Sequence, residues 1–133
     1  MINKANSPEE FRELIENQIK AELDERQKRV NEALGVGVEP TAIRQYENTL
    51  SYLDSIKDEI IEEESDRGEQ LRKQLIFQDF INRGYSKERA EREVNKSLNG
   101  GTDIDDAKEA LLGNKEYFKE QYNKLVDDAK KEA

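Results

Sequence analysis

Apolar residues in this chain recur three or four positions apart from the first dozen residues to the last, and nowhere alternate with polar ones at every second position. That period puts side chains along one face of an α-helix and fits no half-buried strand. The expectation is an all-α fold. The punctuation agrees: Pro8 and Pro40 are the only prolines, and the seven glycines (35, 37, 68, 84, 100, 101, 113) fall between periodic segments, where helix terminators belong.

Ser7-Pro8-Glu9-Glu10 opens the first helix with a capping box, Ser7 accepting at the start and Glu10 closing it, with Pro8 at the first helical position. Phe11, Leu14, Ile15, Ile19, Leu23, Val30, Ala33 and Leu34 follow as its apolar stripe, interrupted around Arg26 and stopped by Gly35. GVGVEP (35–40) reads as a turn. A second helix is expected from about Thr41 to Glu64, with Ile43, Tyr46, Leu50, Leu53 and Ile60 at alternating three- and four-residue spacing. Two long helices joined by so short a connection favour an antiparallel hairpin. Because the pair is polar, a coiled-coil seam with another copy along Ile43, Tyr46, Leu50, Leu53 and Ile60 is expected to supply missing contact.

Ser65-Asp66-Arg67-Gly68 either breaks that helix or leaves it running to Arg83. Leu71, Leu75, Ile76, Phe80 and Ile81 form the next apolar face, closed by Gly84. Ser86 caps a short helix carrying Ala90, Val94 and Leu98, with Tyr85 placed to staple onto Ala90. After the Asn99–Thr102 turn, Thr102 or Asp103 caps a helix with Ile104, Ala107, Leu111 and Leu112 on its buried face, which Gly113 ends. A last helix from about Asn114 bears Tyr117, Phe118, Tyr122, Leu125, Val126 and Ala129.

Leu, Ile, Val and Phe supply 30 of the 133 residues, just above the level, about 20%, below which chains stay disordered. Mean hydropathy is −1.06. Such a chain buries helical stripes rather than one thick core. Of its net charge of −9, residues 1–64 carry −8, with 16 acidic and 8 basic side chains, and residues 65–133 only −1. The expected organisation is therefore an acidic long-helix hairpin or coiled-coil arm over 1–64, then a compact helical unit with a C-terminal amphipathic helix over 65–133.

No Cys and no His are present. That excludes thiolate and imidazole chemistry, Ser-His and Cys-His pairs, N/S metal sites and disulfides. Glu62-Glu63-Glu64 with Asp66 is the densest acidic patch, but its charged neighbours make it a solvated helix end rather than a tuned acid pair. Asp103-Ile104-Asp105-Asp106 lacks the central Gly and terminal Glu of a calcium loop, and its acids suit a helix N-terminus. Arg83, Lys87, Arg89, Arg92 and Lys96 alternate with Glu88, Glu91 and Glu93, too balanced a set for a nucleic-acid footprint. Neither a leader-like N-terminus nor an apolar run of about 18 residues appears. The reading is a cytoplasmic protein that is no enzyme, needs no cofactor or metal, and engages protein rather than nucleic acid or membrane. The aromatic cluster Tyr117, Phe118 and Tyr122 either closes a small core against Phe80 and Ile81 or serves as its first candidate contact surface.

The stretch LIFQDFINRGYSKERAEREVNKSLNGGTDIDDAKEALLG (75–113) resembles a ubiquitin-associated (UBA) three-helix domain. Arg83-Gly84-Tyr85 stands where that family has its Met-Gly-Phe loop, with Arg83 replacing the apolar contact residue, and Ala107–Leu112 resembles its third helix ending in a dileucine. The resemblance implies partner binding through Arg83, Gly84, Tyr85, Leu111 and Leu112. As a whole, the Cys-free, charged, helical chain with its segment 8–64 and its last helix NKEYFKEQYNKLVDDAKK (114–131) is similar in style to tailed-bacteriophage scaffolding and other virion-assembly proteins. That likeness implies a homo-oligomer that engages a coat or portal protein, in host cytoplasm or virion. A UBA-like binding module with a helical arm is the alternative, and an acidic inhibitor or DNA mimic a further one.

Overall fold

The computed structural model describes residues 8–132, the side chain of Leu23 excepted, so the expected Ser7 cap and the Leu23 stripe position lie outside the described residues. The fold is all-α. Among the described residues six helices follow one another: α1 (Pro8–Gly35), α2 (Pro40–Ser55), α3 (Asp58–Ile61), α4 (Asp66–Asn82), α5 (Lys87–Asn99) and α6 (Asp103–Glu132). No strand occurs among the described residues.

Two compact units divide the chain, residues 44–125 forming one, and residues 1–43 with 126–133 the other. The division departs from the expected boundary at 64/65. Leu53, Ile56 and Ile61 share one apolar core with Leu75, Ile76, Val94, Ala107, Ala110 and Leu111, so 44–64 belong with the following helices. In the smaller unit Ala33, Val38, Ile43 and Val126 are buried. There Lys130 on α6 pairs with Glu32 on α1 at 2.5 Å, both side chains half exposed.

Three glycines terminate helices by one device. Gly37 has φ +94° and Gly84 φ +95°, backbone that an L side chain adopts only with strain. Behind Gly37, Val38 N–H donates to Ala33 O at 3.0 Å and Gly37 N–H to Leu34 O at 3.1 Å, the paired bonds of a Schellman motif. Behind Gly84, Tyr85 N–H reaches Phe80 O and Gly84 N–H reaches Ile81 O, while the rings of Tyr85 and Phe80 meet at 4.9 Å. The Gly101 turn repeats the pattern. Gly35, expected to stop α1, is its last residue and Gly37 does the terminating.

The expected second helix to Glu64 ends at Ser55 instead. Ile56 and Ile61 are 7% and 0% exposed. The break and the one-turn α3 bring both into the core. Ser65 then caps α4, its hydroxyl accepting from Gly68 N–H at 3.3 Å. Ser86 caps α5 as expected, accepting from Arg89 N–H at 3.2 Å.

Gly113 breaks nothing. α6 runs through it, with Asp79 of α4 packed so closely that a Cβ at 113 would lie 2.5 Å from Oδ1. Glycine costs a helix about 1 kcal/mol relative to alanine, and α6 accepts it where the two helices touch. Asn114, next along, is 1% exposed. Its amide donates to Leu75 O at 3.2 Å and accepts from Asn82 Nδ2 at 2.8 Å, tying α6 to α4.

Candidate protein-binding surfaces

Polar side chains inside the 44–125 unit hold its helices in place. Arg72 on α4 is 7% exposed. Its Nε donates to Asp103 Oδ2 at 2.5 Å, and its Nη1 to Ile61 O at 2.7 Å and Glu63 O at 2.9 Å. One guanidinium thus satisfies the carbonyls that the end of α3 leaves orphaned and anchors the first turn of α6. Asp106, one turn further, accepts from Ser97 and Thr102 hydroxyls, both at 2.7 Å. The acids of 103–106 therefore serve a helix start, and among the described residues no cluster of three or more metal-ligating side chains forms. In the acidic patch, Glu62 pairs with Lys108 and Glu63 accepts from Ser65.

Asp79 is buried, and desolvation raises its carboxyl above the ordinary value, an effect that Arg83 opposes through its charge and a 2.7 Å hydrogen bond. Arg83 also lies over the Phe80 ring at 5.2 Å, and Arg89 over the Tyr85 ring at 4.5 Å. The Arg83-Gly84-Tyr85 loop is thereby a built corner: Arg83 and Gly84 are exposed, and Tyr85 is half-buried.

The other expected contact residues scatter. Leu112 is 63% exposed, but Leu111 is buried in the core. Tyr122 is buried as well and stacks on Tyr46 at 5.3 Å between ring centres. Tyr117 and Phe118 are half-buried and meet edge to face at 5.2 Å. The expected self-association seam turns inward. Ile43, Leu50 and Leu53 are 4–6% exposed, Tyr46 and Ile60 are half-buried, and Leu53 belongs to the shared core. Leu53 packs in the shared core and Tyr46 stacks on Tyr122, so these positions of the expected seam are occupied within the chain.

Two further surfaces among the described residues are open to a partner. The first is a groove of about 690 Å³ in the 44–125 unit, floored by Leu53, Leu71, Leu75, Phe77, Val94 and Phe118, with Lys73, Gln78 and Glu91 among its polar lining. Its size matches pockets that take drug-sized or side-chain-sized apolar groups. The second is the N-terminal half of α1, where Phe11, Leu14, Ile15 and Ile19 are 60%, 58%, 43% and 52% exposed. These four belong to the apolar stripe expected along the first helix, and in the structure they are exposed.

Comparison with protein families, curated proteins and solved structures finds no match to this chain. Among the described residues no helix is long and apolar enough to cross a membrane.

Proposed function

We propose that this protein is a non-enzymatic helical assembly component that works by protein–protein contact, in the manner of tailed-bacteriophage scaffolding and other virion-assembly proteins. One observation carries the reading: a 28-residue helix exposes four large apolar residues in its first half, while the 44–125 unit closes its own core without them. Contiguous exposed apolar surface of this kind marks interaction sites on folded proteins. The side-chain inventory supports the non-enzymatic part, since Cys and His are both missing from the sequence. In this reading the partner is a coat, portal or comparable shell protein, met in the host cytoplasm or the virion.

Co-expression of the full chain with the products of its neighbouring genes tests the proposal, with native mass spectrometry of the purified complexes as readout. A defined complex is expected, weakened at least tenfold when Phe11, Leu14, Ile15 and Ile19 are all changed to Ser. Failure of every neighbouring product to bind, together with a monomeric chain, would overturn it.

The UBA-like alternative is favoured by the corner at Arg83-Gly84-Tyr85, where a positive-φ glycine presents an aromatic side chain between two capped helices. Titrating isotope-labelled full chain with ubiquitin separates the two: this alternative requires shifts clustered at Gly84, Tyr85 and Leu112, and none there rejects it.

A further inference from the structure

The uncovered face of α1 is short. With about 100° between successive residues, Phe11, Leu14, Ile15 and Ile19 span an arc of about 140°. The positions that continue the Ile15 direction beyond it are Glu22 and Arg26, both exposed. A long coiled coil along α1 would seat those charges in its seam. Phe11, Ile15 and Ile19 instead lie four apart in one ridge, and ridges of that kind interlock where two helices cross at about −50°, with axes about 8–10 Å apart. A crossing of this type buries only a few turns on each side of its centre, and Phe11, Leu14, Ile15 and Ile19 cover such a length, with Leu23 next along the same ridge in the sequence.

We infer that α1 crosses the α1 of a second copy of this chain, antiparallel, about a two-fold axis at Ile15. The inference rests on the contact-assembly reading above and names one occupant for its surface. Two-fold antiparallel pairing at this centre sets Phe11 against the second copy's Ile19, twice, and Ile15 against itself. It also brings Arg12 of each copy to the same side of the interface as the other's Glu16, within one helical turn. A parallel pair would put Arg12 beside Leu14 and Gln18 instead, with no opposite charge. The area fits a modest dimer. Four residues that are 43–60% exposed offer about 100 Å² each, or about 800 Å² of apolar surface from two copies. At the apolar share of homodimer interfaces, about 65%, this corresponds to about 1,200 Å² in all, the lower end of specific interfaces.

Because the chain contains no cysteine, single-cysteine variants read the pairing directly. Sedimentation of the full chain is expected to show a dimer with a Kd on the order of 10 µM, and Ile15→Glu to abolish it with an unchanged far-UV CD spectrum. When differently tagged Phe11→Cys and Ile19→Cys chains are mixed and mildly oxidised, the 11–19 cross-link is expected to exceed 11–11 and 19–19 at least fivefold. A parent monomeric at about 100 µM, dominance of the 11–11 product, or an Ile15→Glu variant that still dimerises would each overturn the inference. If the parent is monomeric but its complex with a neighbouring-gene product is lost in Ile15→Glu, self-pairing falls and the assembly reading stands. If the parent is monomeric and no such complex forms, both fall.

Discussion

Replacing Arg72 with methionine tests how the 44–125 unit is held together. Methionine keeps the length and the apolar stem but removes three donated hydrogen bonds, to Asp103, Ile61 O and Glu63 O. The bond to Ile61 O is buried, and a buried carbonyl left without a donor costs about 1–3 kcal/mol. The Asp103 side chain, 15% exposed, loses its cationic partner, for about 1–2 kcal/mol more. Glu63 O is only partly buried and regains water at little cost. The expected loss is about 2–5 kcal/mol, a large share of the stability of any small domain. Asp103→Ala removes only one of the three bonds and should cost about 1–2 kcal/mol, including the lost acid at the start of α6. The two costs are therefore unequal, which a simple ion pair would not produce. Urea denaturation followed by far-UV CD measures both, and urea leaves the ionic strength unchanged. Equal losses within about 0.5 kcal/mol would refute the argument that Arg72 acts mainly on backbone carbonyls.

Three further outcomes follow from the same structure. A Cβ at Gly68 would collide with the Glu63 carbonyl oxygen, which Arg72 holds in place, so Gly68→Ala should destabilise by about 2–4 kcal/mol through overpacking against backbone. Gly35→Ala, with nothing within 4 Å, should gain about 0.5–1 kcal/mol; equal urea midpoints for the two variants would contradict this. Asp79 is an acid whose value in the fold is raised above the ordinary 3.8. The stability its protonation supplies is complete below that ordinary value and fades as pH rises through the folded value. The stability of Asp79→Asn relative to the parent should therefore climb with pH across that window and then level off. Urea midpoints from about pH 3 to about pH 7 check the sign, and a flat or falling difference rejects it. Tyr122→Ala, which empties a buried site stacked on Tyr46, should cost about 3–5 kcal/mol, measured in the same way.

Helix positions were legible where local chemistry sets them. Ser65 and Ser86 are side-chain caps in the structure, the Ser86 cap and the Gly84 stop were expected from sequence, and the 65–68 break was one of two readings. The end of α2 was not legible, because nothing local stops a helix at Ser55; the break brings Ile56 and Ile61 into a core made by residues far along the chain. Gly113 misled for the converse reason. A glycine reads as a terminator from its own propensity, but here its missing Cβ is needed by a carboxylate 34 positions earlier. Arg72, Asp79 and Asn114, the buried polar residues that tie the helices together, had no signal of their own among so many charged and polar neighbours.

The candidate surfaces divide in the same way. The sequence placed apolar stripes on both α1 and α2 without showing which would be covered. In the structure the α2 stripe is occupied internally, and the N-terminal half of α1 is left out. By itself the sequence determined that the protein is helical and where most helices begin, because caps, terminating glycines and the three-to-four period act within a few residues. Only the tertiary structure decided which apolar faces find a partner within the chain, because burial depends on residues brought together across tens of positions.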